Sequence, residues 1–578
     1  MKKLFLSICL STFLFIVCSQ NMNEVLFSVS SETVSATEFI NTFQRNNSLE
    51  KATEKEVRDY LDLYIHFKLK VKDGLDSQID TTQTFQRELA SYKSQSAKSY
   101  LVDKEVTEHL IKESIERSSY MIRASHILIR CPLDASPKDS LVAFNQIVDI
   151  RKKITSGSIT FPEAAVKFSE DNSAKDERIS NERTQYGNKG DLGYFSVFDL
   201  IYPFETVAYN TPVGDISMPF RTQFGYHLVW VQDKQPMVSK ISISQILLFD
   251  TAAHSGNMSF SVKEKLAIIK EALISGEDFA LLAEQYTQDP ASKTKGGLLE
   301  PIPYNRPPGD FVKACIALKN EQISEPFPSV VGWHIVKLHQ LIAPEANEDE
   351  KKSIMTSRVQ RDSRSTKSVE SLIEKLKAEY KYSDKGKKAA FNLLSKEMEG
   401  KTSIPPASEL LAISSIGKLK AMATFANQKI TIQDFIQYLD RFYGLEVSAN
   451  TDNFLNNQYT SFLQDILLKY EFENLENKYV EYKELISEYN HGMILFEMNN
   501  LKIWSEALKD TAALESFYEK MKEHYLDSEG NPKPLAEVRA TVLTDYQNEL
   551  EKQWLTQLKE KYPVWINEEL FKLLLKKQ

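Results

Sequence analysis

The sequence predicts an α+β multidomain protein. Two small α/β units, each a central antiparallel sheet flanked by helices, sit inserted in a mostly α-helical module, and a second helical module follows. Three observations predict this. Two histidine-bearing segments, Ala124-Ser125-His126-Ile127-Leu128-Ile129 and Thr222-Gln223-Phe224-Gly225-Tyr226-His227-Leu228-Val229, read as the edges of strands about a hundred residues apart. A comparable series of segments recurs between residues 238 and 343. A strand-turn-strand pattern ending in a helix cap opens the chain and returns near residue 422. The length of 578 residues is enough for several cores.

Residues 1–19 read as an export signal: Lys2 and Lys3, a mostly apolar run over 4–17, then polar Ser19-Gln20-Asn21. No later stretch is apolar for the roughly 18 residues that a membrane span needs, so the mature chain is expected without an integral membrane segment. A second reading places a lipid on Cys18, although Val17 is bulky where a lipoprotein box has a small residue. Loss of Lys2 and Lys3 takes the formal net charge from −9 to −11, which argues against nucleic acid as a partner, because phosphate binding needs a basic face. Outside the leader only Cys131 and Cys315 remain; a disulfide between them is open in an oxidising compartment, although they fall in different units. No zinc-spaced Cys/His cluster and no phosphate loop occurs, so neither metal nor cofactor is expected.

The first helical module is expected over 20–120. Its opening positions Leu26, Phe27, Val29, Val34, Phe39 and Ile40 parallel Met422, Ala423, Phe425, Ile430, Phe435 and Ile436, and Ser35 and Thr431 stand at equivalent cap positions with Glu38 and Asp434 three residues on. Helices are expected over 56–72, 82–110, 452–475 and 484–507; apolar residues recur at helical spacing, as in Tyr60, Leu63, Phe67 and Val71, which is a packing stripe. Residues 372–380 parallel 554–562, with leucines and a final tyrosine in step. The expectation is therefore that 344–384 completes the module begun at 20–120, that 344–419 supplies a closing helix and linker, and that 420–578 repeats the module without an insertion.

The first α/β unit is expected over 121–235. Between its two histidine segments lie Phe161-Pro162-Glu163-Ala164-Ala165, Ser169-Glu170-Asp171, Gly190-Asp191-Leu192-Gly193 and Pro203-Phe204-Glu205. This order resembles the parvulin-type prolyl isomerases of the PpiC, or rotamase, kind. The resemblance implies that His126, Asp171, Thr222 and His227 form a polar catalytic shell, and that Leu192, Leu200, Phe204 and Phe224 line a proline pocket. Asp171 stands where some parvulins carry cysteine, so a thiol nucleophile is not implied; its bland reading is a cap for Asn172-Ser173-Ala174. His66 and His109 carry no such context. The loop 175–188, rich in charged residues and Asn, reads as a surface connection, and no basic cluster that would favour a phosphorylated substrate is evident over 130–140.

The second unit, 236–343, follows the same order. Gln245, Asp289, Leu298, Phe311 and His334 are the counterparts, but Gln245 replaces His126, and Arg306-Pro307-Pro308 replaces the apolar region around Leu200. This copy is degenerate and is expected to bind peptide more than to catalyse. The whole arrangement resembles exported chaperone-isomerases of the SurA kind. That resemblance implies a peptidyl-prolyl cis-trans isomerase and chaperone in the periplasm. Its partners would be unfolded, proline-containing polypeptides, outer-membrane or secreted proteins, and its activity would reside in the first unit. The alternative is a non-catalytic holdase that uses both parvulin folds as clamps.

Overall fold

The computed structural model describes residues 24–45, 52–133, 135–180, 183–185, 187–251, 258–304, 309–345, 347–413, 421–445 and 451–575. The expected signal segment and Cys18 lie outside the described residues, as does Arg306-Pro307-Pro308. The chain divides into two compact units, residues up to 98 with those from 472 onward, and residues 99–471.

In the first, strands Val25–Val29 and Glu32–Ser35 form a hairpin, and Ser35 caps the helix Ala36–Gln44 by accepting from the Glu38 N–H at 3.1 Å. The long helix Glu54–Asp76 starts at a capping box between Thr53 and Glu56, and buries Val57, Leu61, Ile65 and Leu69 at helical spacing. This core is closed by the end of the chain. Strand Val564–Ile566 pairs antiparallel with Val25–Val29, and Trp554, Leu558, Tyr562, Leu570 and Phe571 pack among Phe27, Phe39 and Leu61.

The structure corrects the expected closure. Residues 372–380 do not complete the core of 25–71 but belong to the other copy of the motif. Leu372, Ile373 and Leu376 pack with Met422, Phe425, Phe435 and Leu463, and the bridge Ser383↔Thr424 extends the hairpin Ala423–Phe425, Gln428–Ile430. The two parallel segments have thus exchanged modules: 554–562 closes the first hairpin and helix, 372–380 the second. The equivalence of the openings holds, since Thr431 caps Ile432–Leu439 through Asp434 as Ser35 caps Ala36–Gln44. The expected helix over 82–110 is two, Gln83–Ala97 and Lys104–Arg117, because Asp103 caps a new start by accepting from the Glu105 N–H. The second of these does meet the 348–379 region: Thr107 Oγ1 donates to Ser368 Oγ at 2.9 Å, and Lys375 Nζ lies 2.8 Å from Asp103.

The two α/β units lie within residues 99–471. Each has a four-stranded antiparallel sheet, ordered Asp191–Phe195, Tyr120–Arg130, Gly225–Pro236, Phe220–Thr222 in the first, and Ile302–Pro303, Lys240–Phe249, Gly332–Ile342, Phe327–Pro328 in the second. Alternation along the central strands sorts the first core in two. Ile127, Ile129 and Leu228 meet helices Pro137–Thr155 and Phe161–Phe168 on one face; Ile122, Ala124, Val229 and Val231 meet helix Tyr202–Asn210 on the other. The expected loop 175–188 pairs part of its length as a hairpin, Glu177–Ser180 with Arg183–Gln185. Cys131 and Cys315 are free and buried, so no disulfide joins the units.

Candidate active site

His126 and His227 project from the face that carries Ile122, Ala124, Val229 and Val231, because strand parity puts them there. In the register His126 opposes Val229 and His227 opposes Leu128, so the imidazoles are diagonal neighbours, with ring centroids 6.0 Å apart and planes 19° from parallel. They stack and do not hydrogen-bond to one another. His126 Nε2 lies 2.8 Å from Asp171 Oδ2, a close polar contact without the alignment of a hydrogen bond. The other Asp171 oxygen accepts from the Ser173 N–H at 3.0 Å, so the expected cap forms with one oxygen while the other faces His126. Proximity to His126 holds the Asp171 carboxyl well below the usual carboxylate range.

Thr222 is buried. Its Oγ1 lies 2.8 Å from His227 Nε2 and accepts from the Phe224 N–H at 3.1 Å, which orients the ring from the adjacent short strand. Burial, reinforced by the nearby His126, pushes the His227 pKa down to about 4, so this ring is neutral at pH 7. Nδ1 of His126 and Nδ1 of His227 are buried without hydrogen-bond partners. An unpaired buried polar atom costs about 1–3 kcal/mol.

Phe204 presents its ring edge-on to both histidines, at 5.7 Å from His126 and 5.6 Å from His227. Leu192 and Leu200 pack half-buried against it. The sequence reading missed Phe220, which stacks on His227 at 5.4 Å and meets Phe204 edge-on at 5.7 Å. The available signal was its spacing two residues before Thr222, which places both on one face of a short strand. Phe224, expected in the pocket wall, is 53% exposed, and only its backbone is engaged, through Thr222 and the Cys131 N–H.

The second unit reproduces this register with different bonding. Gln245 opposes Val336 and His334 opposes Leu247. Gln245 Nε2 donates to Asp289 Oδ2 at 3.0 Å, its Oε1 lies 3.1 Å from His334 Nδ1, and His334 Nε2 lies 2.7 Å from Ser329 Oγ. Gln245 therefore bridges a gap that the first unit leaves open, and the chain of polar groups is complete. Phe311 and Phe327 flank His334 at 4.8 and 5.6 Å, as Phe204 and Phe220 flank His227. Leu298 is a correction: it faces Ser244 where Asp191 faces Ser125, and it is 44% exposed. Leu299, packed on the core, is the counterpart of Leu192.

With this geometry in view, residues 126–233 and 247–340 each match the PPIC-type PPIASE domain of the rotamase family. The chain is similar to the chaperone SurA of Nitrosococcus oceani, 29% identical over 37% of this chain and 48% of that one. It is likewise similar to SurA of Idiomarina loihiensis, 29% identical over 41% and 54%. The chain spans about half the length of these curated relatives. Among solved structures it is similar to a peptidylprolyl isomerase, PrsA, of Bacillus anthracis (29% identity, 24% of this chain and 60% of that one, TM-score 0.17). The parvulin NmPin of Nitrosopumilus maritimus is another (29%, 18% and 99%, TM-score 0.15).

Proposed function

We propose that this chain, which carries two PpiC-type rotamase domains, is a SurA-like peptidyl-prolyl cis-trans isomerase and chaperone whose first domain is the active one. An X-Pro amide rotates slowly against a barrier of about 18–20 kcal/mol, because resonance gives the C–N bond double-bond character. A catalyst must hold the proline ring in an apolar recess and favour the twisted amide, whose carbonyl is no longer conjugated. Leu192, Leu200, Phe204 and Phe220 supply the recess, and His126, His227, Thr222 and Asp171 the polar surface beside it. Neutral His227, held by Thr222, keeps the recess apolar at pH 7. The observation that carries this reading is the pair of unpaired imidazole Nδ1 atoms of the first domain, set against the fully bonded Gln245 and His334 of the second. A site with free polar capacity can respond to a rotating carbonyl; a saturated one is suited to clamping.

The holding function rests on the helical part. A groove of about 540 Å³ lies among Tyr92, Leu485, Tyr489, Met493 and Phe496, with Glu88, Glu488 and Glu497 also lining it. Phe496 is 58% exposed. Such a surface suits extended apolar segments of unfolded polypeptides. The leader read in residues 1–19 supports a periplasmic location, with a lipid at Cys18 as the variant reading, and the likeness to SurA supports outer-membrane or secreted proteins as clients; among the described residues no helix is long and apolar enough to cross a membrane.

Exchange NMR on an X-Pro peptide tests the assignment with the full chain, His227→Ala and His334→Ala. The parent is expected to catalyse, His227→Ala to lose at least about tenfold, and His334→Ala to keep the parent rate. Equal loss in both variants would contradict the division between the domains. A parent that suppresses aggregation of an unfolded β-barrel protein but leaves the peptide exchange unchanged would establish the holdase alternative.

A further inference from the structure

The largest fully buried side chain among the described residues is an arginine, Arg364, and it lies behind the proline recess. Helix Tyr202–Asn210 sends Phe204 to the histidines, while the next residue, Glu205, turns to the other side and is fully buried. Its carboxylate is held on every side. Arg364 Nη2 lies 2.9 Å from Glu205 Oε2, Arg117 Nη1 lies 2.9 Å from Oε1, and the Phe198 N–H donates to Oε2 at 2.7 Å. Arg364 also donates to Asp362 at 2.8 Å and to Ser114 Oγ at 3.0 Å, and its guanidinium lies over the Phe198 and Tyr202 rings at 3.9 and 4.8 Å. Arg117 pairs with Glu113, which accepts from the Tyr202 hydroxyl at 2.8 Å.

Two features show that this cluster does more than fill space. Phe198 has φ +69°, a left-handed conformation unfavourable for a bulky residue, and it persists where the surroundings over-determine it. Those surroundings are Glu205 at its N–H and Arg364 on its ring, and two residues later the same loop delivers Leu200 to the recess. Among the described residues of the second domain the device is not repeated, for the residue after Phe311 is Val312, packed in its own apolar core. The domain with unpaired imidazole nitrogens is the one whose recess helix is anchored by buried charge.

We infer that Arg364, with Arg117, is a positioning residue for the first rotamase domain. From helical segments outside the domain it fixes the Glu205 carboxylate, and through it the loop 198–200 and helix Tyr202–Asn210, so that Leu200 and Phe204 meet the histidines in productive geometry. Residues far apart in sequence are thereby made part of one site. The inference rests on reading the first domain as an isomerase.

The test uses the full chain, measuring kcat and KM for an X-Pro peptide by exchange NMR in the parent, in Arg364→Met/Glu205→Gln, and in Phe198→Gly. The double variant removes both charges together, so that neither is left buried alone. Phe198→Gly keeps the left-handed turn, which glycine adopts freely, but deletes the ring beneath the guanidinium. Both are expected to keep the parent's circular dichroism spectrum and to lose about tenfold or more in kcat/KM, chiefly in kcat, with displaced ring resonances for His126 and His227. A purely structural role would lower the melting temperature and leave these readouts alone. A folded variant of either kind with the parent's kcat/KM and ring resonances overturns the inference, and if the double variant does not fold, Phe198→Gly decides it. No catalysis by the parent removes the isomerase reading and this inference with it; catalysis by the parent with unaltered variants removes the inference alone.

Discussion

At the scale of single residues, the two units differ in which polar atoms of the candidate site are satisfied. His126 and Gln245 occupy the same register, yet Gln245, with a donor and an acceptor on one amide, bonds Asp289 and His334 at once, while His126 reaches only Asp171. Burial leaves both His227 and His334 with pKa values near 4, below their ordinary 6.5. Between those values the unfolded chain binds protons that the folded one refuses, so stability is complete above about pH 6.5 and is lost as pH falls toward 4. The depressed Asp171 acts in the same direction at still lower pH, since its stabilisation is present above its ordinary value and lost on protonation. Melting temperatures at pH 7, 5.5 and 4.5 should therefore fall steadily, and His227→Gln should fall less over the same interval. A parent with a flat profile would show that these imidazoles titrate normally.

At the scale of elements, the site depends on where backbones approach. Gly190 sits with φ +85° against the His126 backbone, and its carbonyl accepts from the His126 N–H at 2.9 Å; an added Cβ would meet the His126 carbonyl oxygen at 2.7 Å and Ala165 Cβ at 2.9 Å. Gly190→Ala is expected to cost more than about 1 kcal/mol by urea unfolding and to lower isomerisation, because the strand that carries His126 must move. Unchanged stability and rate would mean that the strand yields freely. Much of this layer was legible beforehand. Gly190-Asp191-Leu192-Gly193 and the two histidine strands carried the domain in their order, and Ser35 and Thr431 announced helix starts that formed as expected. Phe220 and Leu299 were not legible in the same way. Each is one apolar residue among several in a short stretch, and only the pairing register selects which of them faces the histidine or the core.

At the scale of the molecule, the closing segments are the lesson. Trp554 is buried in the first core, where its indole N–H donates to Asp73 at 3.1 Å; Leu376 is buried in the core of 422–467. Trp554→Ala should cost about 3–5 kcal/mol and speed amide hydrogen exchange in 25–71, whereas Leu376→Ala should cost about 2–5 kcal/mol and act on 422–467. The reverse pattern would restore the closure expected from the sequence. By itself the sequence determined the two α/β units that match the rotamase domain, the order of their motifs, and the repeated hairpin and cap, because local periodicity, turn chemistry and ordered motifs are written in neighbouring residues. Only the tertiary structure decided which closing helix joins which hairpin, because 372–380 and 554–562 present nearly the same apolar stripe and both fit either core as patterns. It alone also placed Arg364 behind Glu205, since a buried ion pair 159 residues apart leaves no local trace: each residue reads in sequence as a surface charge until its partner is folded against it.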